Sequence, residues 1–149
     1  MDEPHCWRLD MAKAVMRAGA LTWHDEYAGT IVADPASAGD IVLARKETPT
    51  SYHLAVTIDD AAQGVTDVAR GVDLFEATHV HRLLQALLDL PTPLYHHHPL
   101  LIGPDGKRLA KRNGARPLAE LRAEGVNPAA LLVSLQGGQV PIGVTGAEA

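Results

Sequence analysis

A strand, helix, strand succession in the middle of the chain constrains the fold more than any other feature. Residues 65–69 read as a short strand turned by Gly71. From Asp73 the pattern changes to the helical period: Val80, Leu83, Leu84, Leu87 and Leu88 form one apolar stripe, with Asp73 as N-cap and Glu76 at the capping-box position. Pro91 and Pro93 end that helix, and residues 94–102 return to an extended reading. Two strands joined through a helix are the sign of a crossover unit, so the chain is expected to be α/β with a parallel sheet.

The flanking segments are read against that unit. Residues 10–18 form a short helix, capped by Asp10 and stopped by Gly19. Residues 19–40 lack periodicity and carry Asp34-Pro35, which reads as a long irregular connection with a short strand near residues 30–32. Residues 41–44 are an apolar strand. Residues 52–58, apolar and β-branched towards their end, read as a strand covered on both faces, with Asp59 and Asp60 marking where it stops. Near the end, residues 117–124 form a short helix stopped by Gly125, and Asn127-Pro128 opens another that runs to Gly137. The last dozen residues have little to bury and are expected to be poorly ordered. The domain expectation is therefore one unit over residues 1–136 and a flexible tail over 137–149.

Composition narrows the class. At 149 residues, 46% hydrophobic and 21% charged, the chain is ordinary for one globular domain. It carries no apolar run long enough to span a bilayer and no signal-peptide pattern, which favours a cytoplasmic protein without a membrane partner. A single cysteine, Cys6, excludes an intrachain disulfide. The net charge of −5 argues against indiscriminate nucleic-acid binding. Charge is nevertheless concentrated: between Gly103 and Ala123 stand Lys107, Arg108, Lys111, Arg112, Arg116 and Arg122 against Asp105 and Glu120.

Four of those cations fall within Lys107 to Arg112, directly after a Gly-Pro-Asp-Gly turn, so they are expected on an exposed, mobile tip. Such a tip suits phosphate, Lys giving a compact charge and Arg a planar fork. Its structural alternative is a solvated basic loop.

Upstream lies TSYHLAVTIDDAAQGVTDVARG, Thr50 to Gly71. Taken with RLAKR at Arg108 to Arg112, this run resembles the second half of the catalytic domain of the class I glutamyl- and glutaminyl-type aminoacyl-tRNA synthetases, a Rossmann-type fold. Within that family it is most similar to the short glutamyl-Q tRNA(Asp) synthetase branch, which places glutamate on a queuosine base. The resemblance covers residues from about Trp7 to Gln136, most of the chain. It implies an ATP-dependent ligase with glutamate, ATP and tRNA(Asp) as substrates.

By the same resemblance, Tyr52 and Arg70 contact the amino acid, and Lys111 is the catalytic lysine that touches the ATP phosphates. Arg108, Leu109, Ala110, Lys111 and Arg112 form the KMSKS-like ATP loop. Two departures stand in it: Arg108 replaces the first lysine and Ala110 the small hydroxyl residue, leaving Lys111 to carry the phosphate role. The remaining motif residues, His53, Asp59, Asp60, Gly64 and Thr66, are assigned to shaping the pocket. The alternative for the first pair is that Tyr52 packs on the sheet and Arg70 pairs with Asp67 or Asp73.

Eight histidines raise the question of a metal, with Cys6, His79, His81 and the His96-His97-His98 triplet as candidates. Consecutive strand residues point to opposite faces, so at most His96 and His98 share a ligand, and no Cys-x-x-Cys or His-x-x-x-His pair is present. No metal site is expected, and the zinc module of many glutamyl-Q enzymes has no cysteine set here. Ser51, Ser134 and Cys6 have no evident base to make them nucleophiles. The HIGH-type motif that holds ATP from the other side does not occur in the sequence, so a partner half is expected for activity, from a truncated frame, a split gene or a partial chain. The competing reading is a non-catalytic nucleotide- or tRNA-binding remnant, or part of a discriminating glutamyl-tRNA synthetase.

Overall fold

A computed structural model describes residues 5–47, 49–103, 106–110 and 114–137. They divide after His98 into two compact units.

The first unit is built on a four-stranded sheet. Its strands are β2 (Thr22–Asp25), β3 (Gly29–Val32), β5 (Asp67–Gly71) and β6 (Leu94–His98), in the order β3-β2-β6-β5. The expected crossover is present: β5 and β6 run parallel, joined through α3 (Phe75–Leu87). β2 also lies parallel to β6, while β3 returns antiparallel to β2 as a hairpin. A separate two-stranded ribbon pairs β1 (Trp7–Arg8) with β4 (Val42–Ala44).

The core sits where α1 (Met11–Ala18) meets α3. Met11, Ala14, Ile41, Val80, Leu83 and Leu84 are buried together there, and Leu87 packs against them. Most of the predicted stripe is thus inside; Leu88, the C-cap, is 44% exposed. Asp10 caps α1 as expected, its side chain accepting from the Lys13 N–H at 3.0 Å.

Four local expectations are corrected. Tyr52–Ala62 is not a strand but helix α2, started by Ser51, whose hydroxyl accepts from the Leu54 N–H. The β-branched run Val56-Thr57-Ile58 is absorbed into it, and Thr57 bonds back to the His53 carbonyl at 2.8 Å. Residues 19–40 are ordered structure: the β2–β3 hairpin turns at Gly29, whose φ of 76° suits glycine, and a 3-10 turn follows at Pro35–Ala38. α3 starts at Phe75 after a 3-10 turn over Val72–Leu74, with no side-chain cap, so Asp73 does not cap it. Strand β6 ends at His98, short of Ile102.

The second unit contains α4 (Leu118–Ala123) and α5 (Pro128–Gln136). Asn127 caps α5, accepting from Ala129 N–H and Ala130 N–H. Arg116 is ion-paired to Glu120 and Glu124. Before these helices, Ile102 and Arg108 bridge antiparallel across a tight turn, and the Leu109 N–H donates to the Leu101 carbonyl at 2.9 Å. Of the cations expected on an exposed tip, Lys107 is exposed and Arg108 is half-buried, as are Leu109 and Ala110 after it. Among the described residues no helix is long and apolar enough to cross a membrane.

Candidate functional site

Parallel pairing of β5 with β6 sets Arg70 directly beside His97. Side chains at paired positions share a face of the sheet, and α3, packed over the same face, adds Thr78 and His81, three residues apart on one helical side. β2 contributes Trp23 and Asp25, and the start of α2 contributes Tyr52 and His53.

These side chains form one hydrogen-bonded cluster around the Arg70 guanidinium. Nε donates to His97 Nε2 at 3.1 Å, Nη1 donates to His81 Nδ1 at 3.2 Å, and Nη2 donates to Thr78 Oγ1. The guanidinium carbon lies 5.2 Å from the centre of the Tyr95 ring. All these partners are uncharged. Arg70 pairs with neither Asp67 nor Asp73; Asp67 bonds instead to Thr66 and His96. Of the five N–H bonds of an arginine, two therefore remain for an outside acceptor. A full positive charge held in place by neutral groups is arranged to receive an anion.

The rings around Arg70 stay neutral for physical reasons. Burial holds His81 down to about 3, helped by the positive charge of Arg70. His53 is lowered by burial and then by Arg70. For His97, burial outweighs the opposing bond to Asp25 and keeps the ring below its ordinary value. Burial acts the other way on Asp25, but the N–H of Ala28, the His97 ring and the N–H groups of Tyr27 and His97 overcome it and hold the carboxyl at about 2. Asp60 is raised by burial, against the pull of Arg70.

Tyr52 stands at the first turn of α2, 52% exposed, with its ring edge-on to His81 at 5.7 Å. His81 touches both Tyr52 and Arg70, so the two residues expected to meet an amino acid are brought together through it. His53 completes the line, its Nδ1 lying 3.0 Å from His81 Nε2.

Lys111 and Arg112 fall outside the described residues, and Arg108, Leu109 and Ala110 belong to the second unit. The histidine triplet alternates as expected, His97 inward and His96 outward between Glu26 and Asp67. Among the described residues no group of three or more His, Cys, Asp or Glu gathers as metal ligands would. Asp25 and Thr78 were not anticipated in the site. Asp25 had a signal: it occupies the alternate position to Trp23 in Thr22-Trp23-His24-Asp25 and so points inward with it.

The family model for the catalytic domain of class I tRNA synthetases (E and Q) matches residues 1–141. This chain belongs to that family. Among its relatives, the glutamyl-Q tRNA(Asp) synthetase of Rhodobacter capsulatus is 58% identical over 107 residues, covering 72% of this chain and 37% of that protein. The enzyme of the same name from Leptothrix cholodnii is 45% identical over 147 residues, covering 96% of this chain and 48% of the relative. The chain thus spans between about a third and a half of the length of these relatives. A crystal structure of a glutamate tRNA ligase from Elizabethkingia meningosepticum, in complex with its amino acid, shares the fold. Its TM-score is 0.56 at 24% identity, over 70% of this chain and 24% of that one.

Proposed function

We propose that this chain carries the amino-acid side of a glutamyl-Q tRNA(Asp) synthetase. The observation that carries the reading is the Arg70 guanidinium, charged, bonded to three neutral acceptors and joined to Tyr52 through His81. In this reading Arg70 holds a carboxylate of glutamate and Tyr52 orients the molecule. The α-carboxylate attacks the α-phosphorus of ATP, giving glutamyl-adenylate and pyrophosphate. A hydroxyl of the queuosine base of tRNA(Asp) then takes the acyl group and AMP leaves. No covalent protein intermediate is needed, since positioning and charge stabilisation suffice. Lys111, in the loop from Arg108 to Arg112, meets the phosphates as charge develops on them. The relatives' name for tRNA(Asp) supports the acceptor, and a tRNA substrate supports a cytoplasmic protein.

The test is kinetic, in an enzyme completed with a HIGH-motif half. Arg70→Ala is expected to weaken glutamate use by about 2 to 5 kcal/mol, the cost of leaving a charged partner unpaired, with little change in ATP use. An unchanged glutamate response removes Arg70 from the site. In single turnovers Lys111→Ala is expected to slow adenylate formation more than Arg108→Ala, with glutamate binding preserved; the reverse order exchanges their roles. The 149-residue chain alone is expected to show no glutamate-dependent exchange between ATP and pyrophosphate. Robust exchange would remove the need for a partner half.

A further inference from the structure

We propose that Asp25 is a positioning residue for Arg70, acting by fixing which nitrogen of His97 carries the proton. The inference rests on the reading of Arg70 as the carboxylate-holding group.

Asp25 is 1% exposed and uses both oxygens fully. One accepts from the Tyr27 N–H at 3.0 Å and the Ala28 N–H at 2.9 Å. The other accepts from the His97 backbone N–H at 3.1 Å and from its ring Nδ1 at 2.7 Å. A carboxylate only accepts, so the single proton of the neutral His97 ring is drawn to Nδ1. Nε2 is then bare, and it faces Arg70 Nε and Thr78 Oγ1, each at 3.1 Å. A guanidinium only donates, so the contact exists in that tautomer and becomes a collision of two N–H bonds in the other.

The device explains why a buried carboxylate stands so near Arg70 without pairing with it. A direct ion pair would occupy the N–H bonds that a substrate needs and would cancel their charge. With an imidazole between, Asp25 orients the guanidinium while leaving two of its N–H bonds unused. His81 is set in the complementary way: Nδ1 accepts from Arg70, so its proton sits on Nε2 and points to His53 Nδ1.

Asp25→Asn separates this role from mere packing, because it keeps the shape and changes the donors. The amide oxygen satisfies either the two N–H groups of the turn or those of His97. Two fixed backbone N–H groups, of Tyr27 and Ala28, compete with one, of His97, so the oxygen stays with the turn, the amide nitrogen faces His97 and donates to Nδ1, and the ring proton moves to Nε2. His97→Gln offers Arg70 a carbonyl oxygen that no tautomer controls.

The experiment is nitrogen NMR of the side chains of the 149-residue chain. Protonated Nδ1 on His97 is expected in the natural sequence, and protonated Nε2 in Asp25→Asn. The Arg70 Nε–H signal should be sharp and slow to exchange in the natural sequence, lost in Asp25→Asn, and regained in the Asp25→Asn, His97→Gln double variant. A natural chain with the proton on Nε2 overturns the proposal by itself, even if the variants fail to fold. So does an Arg70 signal lost equally in the single and the double variant.

In the completed enzyme, Asp25→Asn should raise the glutamate KM roughly tenfold, the worth of one charge-assisted hydrogen bond. The ATP KM should hold, and the double variant should match His97→Gln alone. If Arg70→Ala leaves the glutamate KM unchanged, the reading of the site fails while the NMR result stands. If Arg70→Ala raises it and Asp25→Asn does not, the positioning role fails.

Discussion

Strand β6 has two faces, and the neighbouring residues His96 and His97 are assigned opposite chemistry by them. On the inner face His97 is buried with Asp25 and Thr78 beside the half-buried Arg70, and burial keeps its ring neutral. On the outer face His96 lies between Glu26 and Asp67, and its hydrogen bonds to those two carboxylates raise its pKa. The acids come from the strands on either side: Glu26 follows β2 and Asp67 opens β5. The difference shows that an imidazole's charge here is set by the direction the strand aims it, since both residues share one backbone and one pair of neighbours. Among the described residues, the Arg70 guanidinium on the inner face is bonded to neutral groups and to no carboxylate.

The comparison is broken most strongly by acid. His53, His81 and His97 all have folded pKa values below the ordinary 6.5, so the unfolded chain binds more protons than the folded one as pH falls below that point. Stability contributed by their neutral forms is therefore present above pH 6.5 and lost as pH falls towards the folded values. His81, held at about 3, should account for a loss on the order of 3 to 5 kcal/mol by that pH. Asp25, lowered from 3.8 to about 2, stabilises the fold above its unfolded value and should lose on the order of 2 kcal/mol more as pH falls through about 2. Urea midpoints at pH 7, 5 and 4 test the histidine part; a flat profile would show that the inner rings titrate in the fold as they do in the unfolded chain.

Thr78→Val is a smaller and more local break. The residue is fully buried and its hydroxyl accepts from Arg70 Nη2, so the near-isosteric change should cost about 1 to 2 kcal/mol through one unsatisfied charged donor. An unchanged urea midpoint would mean that Arg70 finds another acceptor. The smallest effect is expected outside, for His96→Gln. The raised pKa of His96 means that its contribution is full below pH 6.5 and disappears as pH rises through the folded value, so variant and natural chain should converge at alkaline pH. A difference that grows with pH would reverse the assignment of the two faces.

How much of this was legible in the sequence depended on whether the signal was local. The α1 cap and the crossover were, because Asp10, Gly19 and the Val80 to Leu87 stripe each act within a few turns. The α2 helix was not: Val56-Thr57-Ile58 favours a strand on side-chain shape, and its helical burial pattern is weak, with Thr57 the buried residue and Ile58 44% exposed. The β2–β3 hairpin was hidden because one inward position holds Asp25, a residue that alternation by hydrophobicity passes over. Tyr52 and Arg70 were named from a motif, whereas Asp25, Thr78 and His97 were not, since they come from β2, α3 and β6 and meet only after those elements assemble. From the sequence, His81 and His97 stand out only as candidate metal ligands.

Trp23 gives the inner face an optical consequence. It is 2% exposed, with its ring edge-on to His79 at 5.6 Å and to His97 at 5.7 Å, while Trp7 is 63% exposed. A protonated imidazole quenches indole emission far more than a neutral one does. The blue-shifted part of the fluorescence, from Trp23, should therefore dim when the His97 ring takes up a proton. The molecule carries its own spectroscopic gauge of the charge beside Arg70, readable without a label.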